Sequence, residues 1–157
     1  ETHLIMSKSA ELTVHHELDS SVDEIRALAD VYHPVRNVGA SVASGSFQTR
    51  GMLLAPCSIR TLGEITTGVT SSLLTRAADV ILKERRRLVL MVRETPLHLG
   101  HLRNMVAVTE MGAVVAPPVP AFYAKPDSVD AMVTQSVARA LDLFDITLSE
   151  THRWTES

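Results

Sequence analysis

Short runs of consecutive apolar residues alternate along this chain with segments whose apolar residues recur at helical spacing. The runs predict strands over residues 2–6, 31–33, 52–55, 88–92 and 113–116. The periodic segments predict helices over residues 7–18, 58–66, 71–84, 97–111 and 128–144, with a shorter helix after the capping-box sequence Ser21-Val22-Asp23-Glu24. Apolar strands separated by helices are typical of a parallel sheet covered on both faces. We therefore predict a single doubly wound α/β domain.

Two local features refine this prediction. The strand over residues 52–55 is expected to end at Pro56, and the Gly-, Ala- and Ser-rich segment 37–51 is expected to form a long loop. The last helix has apolar residues at helical spacing, which predicts one buried face made of Val129, Val133, Val137, Ala140, Leu141 and Phe144.

Composition narrows the class of protein. The 157 residues are 45% hydrophobic and 21% charged, which is ordinary for one soluble globular domain. A net charge of −3 argues against a nucleic-acid binder, and the basic run Arg85-Arg86-Arg87 favours a solvated turn over a phosphate patch. No apolar run approaches the roughly 20 residues of a membrane helix. Cys57 is the single cysteine, so we expect no intramolecular disulfide, a buried thiol and a reducing, cytoplasmic location.

Polar side chains follow two of the predicted strands directly. Arg93 and Glu94 come after the strand over residues 88–92, and the segment Pro117-Pro118-Val119-Pro120-Ala121-Phe122-Tyr123 follows the next one. Ligands of open α/β sheets bind at the carboxyl ends of parallel strands. We therefore expect Arg93, Glu94 and Tyr123 to serve chemistry rather than packing.

Four cations are candidates for one phosphate site. Arg76 and Lys83 lie seven residues apart on one predicted helix, and with Arg93, Arg139 and the Tyr123 hydroxyl they could converge on a phosphate. Separate surface salt bridges are the alternative. Glu94 also has two possible roles: it could accept a proton, or it could form a structural ion pair or helix cap.

The remaining candidates are of unequal weight. Residues 56–61 follow a strand and open a helix, where backbone N–H groups bind anionic or electron-rich ligand atoms. His98 and His101 have a spacing that could hold a metal, but no further motif completes a ligand set. The chain also lacks a paired-aspartate DDxxD motif, so we expect Arg, Lys and Tyr, rather than a metal ion, to bind any phosphorylated substrate.

The chain closely resembles the UbiX/Pad1 family of flavin prenyltransferases over nearly its whole length. The resemblance is carried by SGSFQTRGMLLAPCSIRTL, LLTRAADVILKERR, LVLMVRETPLHLGHLRNM and GAVVAPPVPAFY. It implies a Rossmann-like, flavodoxin-type three-layer sandwich with a parallel sheet, assembled as a homododecamer. It also implies metal-independent transfer of a dimethylallyl group from dimethylallyl monophosphate to N5 of reduced FMN, followed by ring closure at C6. The product, prenylated FMN, would serve UbiD-type decarboxylases.

The resemblance also implies roles for individual residues. The flavin contacts are Ser7, Ser58, Ile59, Arg60, Thr61 and Arg93. The residues around the dimethylallyl phosphate are Tyr123, Arg139, Arg76 and Lys83, with Trp154 covering the site. The acidic catalytic residues are Glu94, a proton acceptor near N5, and Glu17. Two other interpretations stay open, namely a non-catalytic protein that binds or delivers FMN and a subunit of an aromatic-acid decarboxylase.

The resemblance has one departure, at the N-terminus. Family members begin with a strand and a Gly-rich loop of the GxSGASG type, whereas here ETHLIMSK, which matches the family's second strand, comes first. We expect a chain of these 157 residues alone to bind FMN poorly and to turn over little. Full prenyltransferase activity from a purified chain whose intact mass matches this sequence would contradict that expectation.

Overall fold

The predicted element types are present in the protein. The computed structural model describes residues 1–149, and all statements of structure refer to them. In chain order the elements are β1 (His3–Met6), α1 (Lys8–Glu17), α2 (Val22–Ala27), β2 (Val31–Pro34), β3 (Gly51–Cys57), α3 (Ile59–Thr67), α4 (Leu73–Lys83), β4 (Arg87–Val92), α5 (Leu99–Glu110), β5 (Val114–Val115) and α6 (Val129–Asp142). Two 3₁₀ turns add Ser41–Ala43 and Phe122–Ala124.

All strand pairs are parallel. β1 pairs with β2, and β3, β4 and β5 form a second ladder with β4 in the centre. No hydrogen-bonded ladder joins the two groups among residues 1–149. Helix α4 packs on both β1 and β3 and so holds the two groups in one unit. The predicted parallel α/β arrangement of strands and helices is therefore confirmed.

The centre of the molecule is β4, which is buried on both faces. Leu88, Leu90 and Val92 belong to the main apolar core, which α3, α4 and α5 complete. Val89 and Met91 point to the other face and are also buried, with exposed fractions of 0% and 6%. Continuous burial of this kind is typical of a central parallel strand.

Helix α6 covers the second face, with a contact pattern that differs from the predicted one. Arg50 donates from Nη1 to the Phe144 carbonyl oxygen over 3.0 Å, and Phe144 packs against Gly51 so closely that a Cβ there would overlap its ring. Val129 and Val133 are 74% and 55% exposed, so the predicted apolar face is wrong over the first turns of α6.

The buried positions of α6 explain this correction. They are Gln135, Ala138 and Ala140, with Phe144 just beyond the helix. The helix therefore buries side chains fully only after its first two turns. The chain pattern shows a helical period but cannot show where along the helix its neighbours begin.

Strand β3 also differs from prediction, because it continues through Pro56 to Cys57. The ladder between β3 and β4 shifts its register between Leu54 and Cys57. Pro56 lies within this irregular stretch, where its lack of an N–H breaks no regular ladder bond. This extension places the start of α3 directly beyond the end of β3. We call the ends of β3, β4 and β5, at Cys57, Val92 and Val115, the carboxyl edge, and their starts the amino edge.

The basic run lies at the amino edge and has a structural role. Arg86 donates from Nη1 to the Phe47 carbonyl oxygen over 2.6 Å and from Nη2 to that of Gly45 over 2.7 Å. These bonds fasten the loop that precedes β3 to the connection between α4 and β4. Arg85 and Arg87 are exposed.

Replacing Leu90 by Ala should lower the free energy of unfolding by about 2–5 kcal/mol, because its fully buried side chain would leave a cavity between helices and sheet. Urea unfolding followed by circular dichroism measures the change. Val129→Ala, at an exposed position, should stay within about 0.5 kcal/mol of the unchanged protein. Equal effects of the two substitutions would contradict the central position of β4.

Candidate functional site

The turn after β3 presents a helix N-terminus at the carboxyl edge. Ser58 is the N-cap of α3 and its hydroxyl oxygen accepts the Thr61 N–H over 3.2 Å. The first backbone bond back to the cap is that of Leu62 to the Ser58 carbonyl, at 2.9 Å. The N–H groups of Ile59 and Arg60 precede it and point out of the helix end. This end carries partial positive charge and suits electron-rich ligand atoms.

Arg93 leaves β4 beside this turn. Its backbone N–H donates to the Cys57 carbonyl oxygen over 3.2 Å, which fixes the two strand ends side by side. Its side chain is exposed and has no hydrogen-bond or ion-pair partner in the described part of the chain. An unpaired guanidinium at a strand end is available to a ligand. Ser58, Ile59, Arg60, Thr61 and Arg93 are thus brought together as a group.

Glu94 lies next to Arg93 but does not pair with it. Its carboxylate accepts the N–H of Thr95 over 3.0 Å, and no ion pair joins it to Arg93 among the described residues. The whole segment 93–100 is exposed. Glu94 therefore projects as an accessible carboxylate at the carboxyl edge, which leaves it able to accept a proton.

A second group forms around Arg139. A cavity of about 170 Å³ lies between α6 and the segment after β5, and Met91 of β4 contributes to its wall. Arg139 lines it together with Pro117, Pro118, Val119 and Ala121. Arg139 donates from Nη1 to Asp142 over 2.6 Å. Tyr123, in the 3₁₀ turn two residues beyond Ala121, is 50% exposed.

The predicted convergence of four cations does not occur within one copy of the chain. Helix α4 packs on the Leu88 and Leu90 face of β4, whereas the Arg139 cavity opens on the Met91 face. Arg76, on α4, pairs with Asp79 at 2.9 Å. Lys83 ends α4 at the amino edge and pairs with Glu84, and the length of β4, roughly 17 Å, separates that edge from Arg93.

Ser7 and Glu17 lie at opposite ends of α1. Ser7 follows β1 and caps the helix by accepting the Ala10 N–H over 3.0 Å. Glu17 is the last residue of the helix and is exposed. The ten residues of α1 rise by roughly 15 Å. Glu17 and Ser7 are therefore separated by the length of this helix within one chain. Trp154 lies outside the described residues.

Metal-binding groups are not assembled in the described range. His98 is the N-cap of α5, where its Nδ1 accepts the N–H groups of Gly100 and His101 over 3.0 and 3.4 Å, and its ring stacks on that of His101. No cluster of three His, Cys, Asp or Glu side chains occurs within residues 1–149. Among the same residues no helix is both long and apolar enough to cross a membrane.

Comparison of the chain with known proteins identifies its family. The Flavoprotein family model matches residues 1–141. The flavin prenyltransferase UbiX of Neisseria meningitidis serogroup B is 59% identical over 154 residues, which cover 98% of this chain and 82% of that protein. The chain belongs to the UbiX family of flavin prenyltransferases.

Solved structures of UbiX proteins share its fold. The crystal structure of AnUbiX (PadA1) in complex with FMN and dimethylallyl pyrophosphate matches with a TM-score of 0.98 and 52% identity, over 100% of this chain and 84% of that one. A dodecameric FMN-dependent Ubix-like decarboxylase from Escherichia coli O157:H7 matches with a TM-score of 0.97 and 47% identity, over 99% and 84% of the two chains.

Sequence reasoning missed three polar residues of this UbiX-family chain. Glu64 and Ser71 form a network with Arg60, and Gln135, 6% exposed, lines the Arg139 cavity. The i,i+4 spacing of Arg60 and Glu64 is a signal that was present in the sequence. Gln135 had none, because only the packing of α6 shows that it is buried.

Cys57 is a core residue of this UbiX-family chain, not a nucleophile. Its side chain is fully buried, and burial raises the pKa of its thiol from 9.0 to about 12.

We expect Ellman's reagent, which reacts with the thiolate, to label no thiol of the folded protein at about pH 8. After unfolding it should label one thiol per chain. Because the folded pKa is the higher one, stability should fall as the pH rises from 9.0 towards 12. Rapid labelling of the native protein would contradict this assignment.

Proposed function

We propose that this chain is a flavin prenyltransferase that moves a dimethylallyl group from dimethylallyl monophosphate to N5 of reduced FMN, with ring closure at C6. The observation that carries the proposal is the match of the whole chain to AnUbiX, whose crystal structure holds FMN and dimethylallyl pyrophosphate. The identity of 59% to the Neisseria enzyme over nearly the full chain supports it.

The residues at the carboxyl edge fit a flavin. Ser58, Ile59, Arg60 and Thr61 supply the N-terminus of α3, and Arg93 supplies a guanidinium that has no partner among residues 1–149. Ser7, which follows β1 outside this edge, adds a hydroxyl. These are donors, and the flavin ring and its phosphate present acceptors. When bound and reduced, FMN supplies the nucleophilic nitrogen that accepts the prenyl group.

Residues of the Arg139 group would bind the leaving phosphate. Cleavage of an allylic C–O bond adds negative charge to the phosphate, and charge-assisted donors stabilise that charge. Among residues 1–149, Arg139 bonds Asp142 through Nη1, and its other nitrogens make no further bond. Tyr123 lies two residues beyond Ala121, which lines the same cavity. We assign the accessible carboxylate of Glu94 to accept a proton, with Glu17 as a second acidic residue.

Assembly of several copies would complete the site. Arg76 and Lys83 lie on the opposite side of β4 from Arg139, so they can serve a common phosphate only if one copy borders another. Apolar side chains are exposed near both candidate groups, which supports such contacts: Leu97, Leu99, Leu102, Val106, Val119, Phe122, Val129 and Val133. We propose a homododecamer, as found for the Escherichia coli O157:H7 protein.

The product would pass to a UbiD-type decarboxylase in the cytoplasm. A second candidate function is decarboxylation itself, because the dodecameric Escherichia coli O157:H7 relative is called an FMN-dependent decarboxylase. Carbon dioxide released from a phenolic acid by this protein alone would favour the second function. A protein that binds FMN but leaves it unchanged would be a binding or delivery protein.

Incubation of the full-length protein, meaning these 157 residues together with any that precede or follow them in the natural chain, with reduced FMN and dimethylallyl monophosphate under anaerobic conditions should yield a flavin heavier by one prenyl unit in mass spectrometry. Arg139→Ala should slow its formation roughly 100- to 1000-fold, because one charged donor to the leaving phosphate is lost. Arg87→Ala, which removes an exposed Arg at the amino edge, is the matched control and should keep the rate. Unmodified FMN with the unchanged protein would overturn the proposed activity.

A further inference from the structure

Glu64 of α3 is held by partners on two sides. Its Oε1 accepts the Arg60 Nε–H over 2.9 Å, and its Oε2 accepts the Ser71 hydroxyl over 2.7 Å. The Glu64 side chain is 18% exposed. Ser71 lies in the connection that leads into α4, so the carboxylate is fastened both to its own helix and to the next segment of the chain.

Arg60 is held through one edge of its guanidinium only. Its side chain is 81% exposed and its Nε is bonded to Glu64, while its two terminal nitrogens have no partner in residues 1–149. The guanidinium is planar, so fixing the Nε edge directs the terminal pair away from Glu64. That pair is the fork that binds oxygen atoms in two parallel hydrogen bonds.

The stability of the fold alone does not explain why Glu64 holds Arg60 in this way. An ion pair with one partner exposed to this extent contributes little to folding. An Arg restrained at its Nε, in contrast, has already lost part of the rotamer freedom that binding would otherwise remove, and preorganisation of that kind improves affinity. The hydrogen bond from Ser71, and after it that from Arg60, lowers the pKa of Glu64, so the carboxylate remains charged at neutral pH.

We infer that Glu64 is a positioning residue, which with Ser71 holds the Arg60 guanidinium towards oxygen atoms of bound FMN. The inference rests on the proposed function, in which the turn from Ser58 to Thr61 contacts the flavin. Glu64 acts through Arg60 and does not itself touch the ligand.

A double-mutant cycle tests this role in the full-length protein, with FMN binding followed by flavin fluorescence. Glu64→Gln should raise the Kd for FMN about fivefold, the upper range for one surface ion pair. Ser71→Ala should act in the same direction. In the Arg60→Ala background, Glu64→Gln should produce no further change, because the residue through which it acts is gone. Glu110→Gln, an equal charge change at an exposed position of α5, is the control.

The outcomes separate the inference from the proposed function. If the unchanged protein binds FMN and Glu64→Gln matches Glu110→Gln, the positioning role is wrong and the proposed function stands. An equal loss in the presence and absence of Arg60 would show a purely structural effect and also overturn the role. If the unchanged protein binds no FMN, the proposed function itself fails.

Riboflavin distinguishes which oxygen atoms Arg60 binds. A fivefold effect of Glu64→Gln that persists with riboflavin, which lacks the phosphate, supports the inference with a ring carbonyl as the acceptor. An effect seen with FMN and lost with riboflavin supports it with the phosphate as the acceptor. No effect with either ligand overturns it.

Discussion

Alternation of side chains along the buried strand β4 decides on which side of the sheet Arg76, Lys83 and Arg139 lie. Leu88, Leu90 and Val92 face α3, α4 and α5, while Val89 and Met91 face the other layer. A strand buried on both sides cannot carry polar side chains within its length without cost. Polar chemistry can therefore begin only where the strand ends, which is at Arg93.

The same alternation separates the cations into two sets. Arg76 and Lys83 lie on helix α4, which packs on one face of β4. Arg139 lies on helix α6, on the other face. No rotamer change can bring such side chains together through a packed sheet. A phosphate that contacts all three would have to lie where two copies of the chain border each other, which is why the proposed phosphate site depends on the proposed assembly.

Much of the fold could be predicted, because local signals and tertiary packing agree for most elements. Serine N-caps begin α1, α2, α3, α4 and α6, and each such cap contributes about 1 kcal/mol. The prediction was wrong where packing overrides periodicity, at Val129 and Val133, and where β3 passes Pro56. In the site, strand ends indicated Arg93 and Glu94, but the distribution of Arg76, Lys83 and Arg139 over two faces depends on which helix covers which side. No spacing along the chain contains that information.

Arg86 shows how a single charged side chain can replace regular structure. Its two bonds, to the carbonyl oxygens of Gly45 and Phe47, divide the stretch between β2 and β3 into two shorter spans. Shorter spans have fewer conformations to lose on folding. The tether therefore holds the start of β3, and with it the strand register, through a side chain at the other end of the α4–β4 connection.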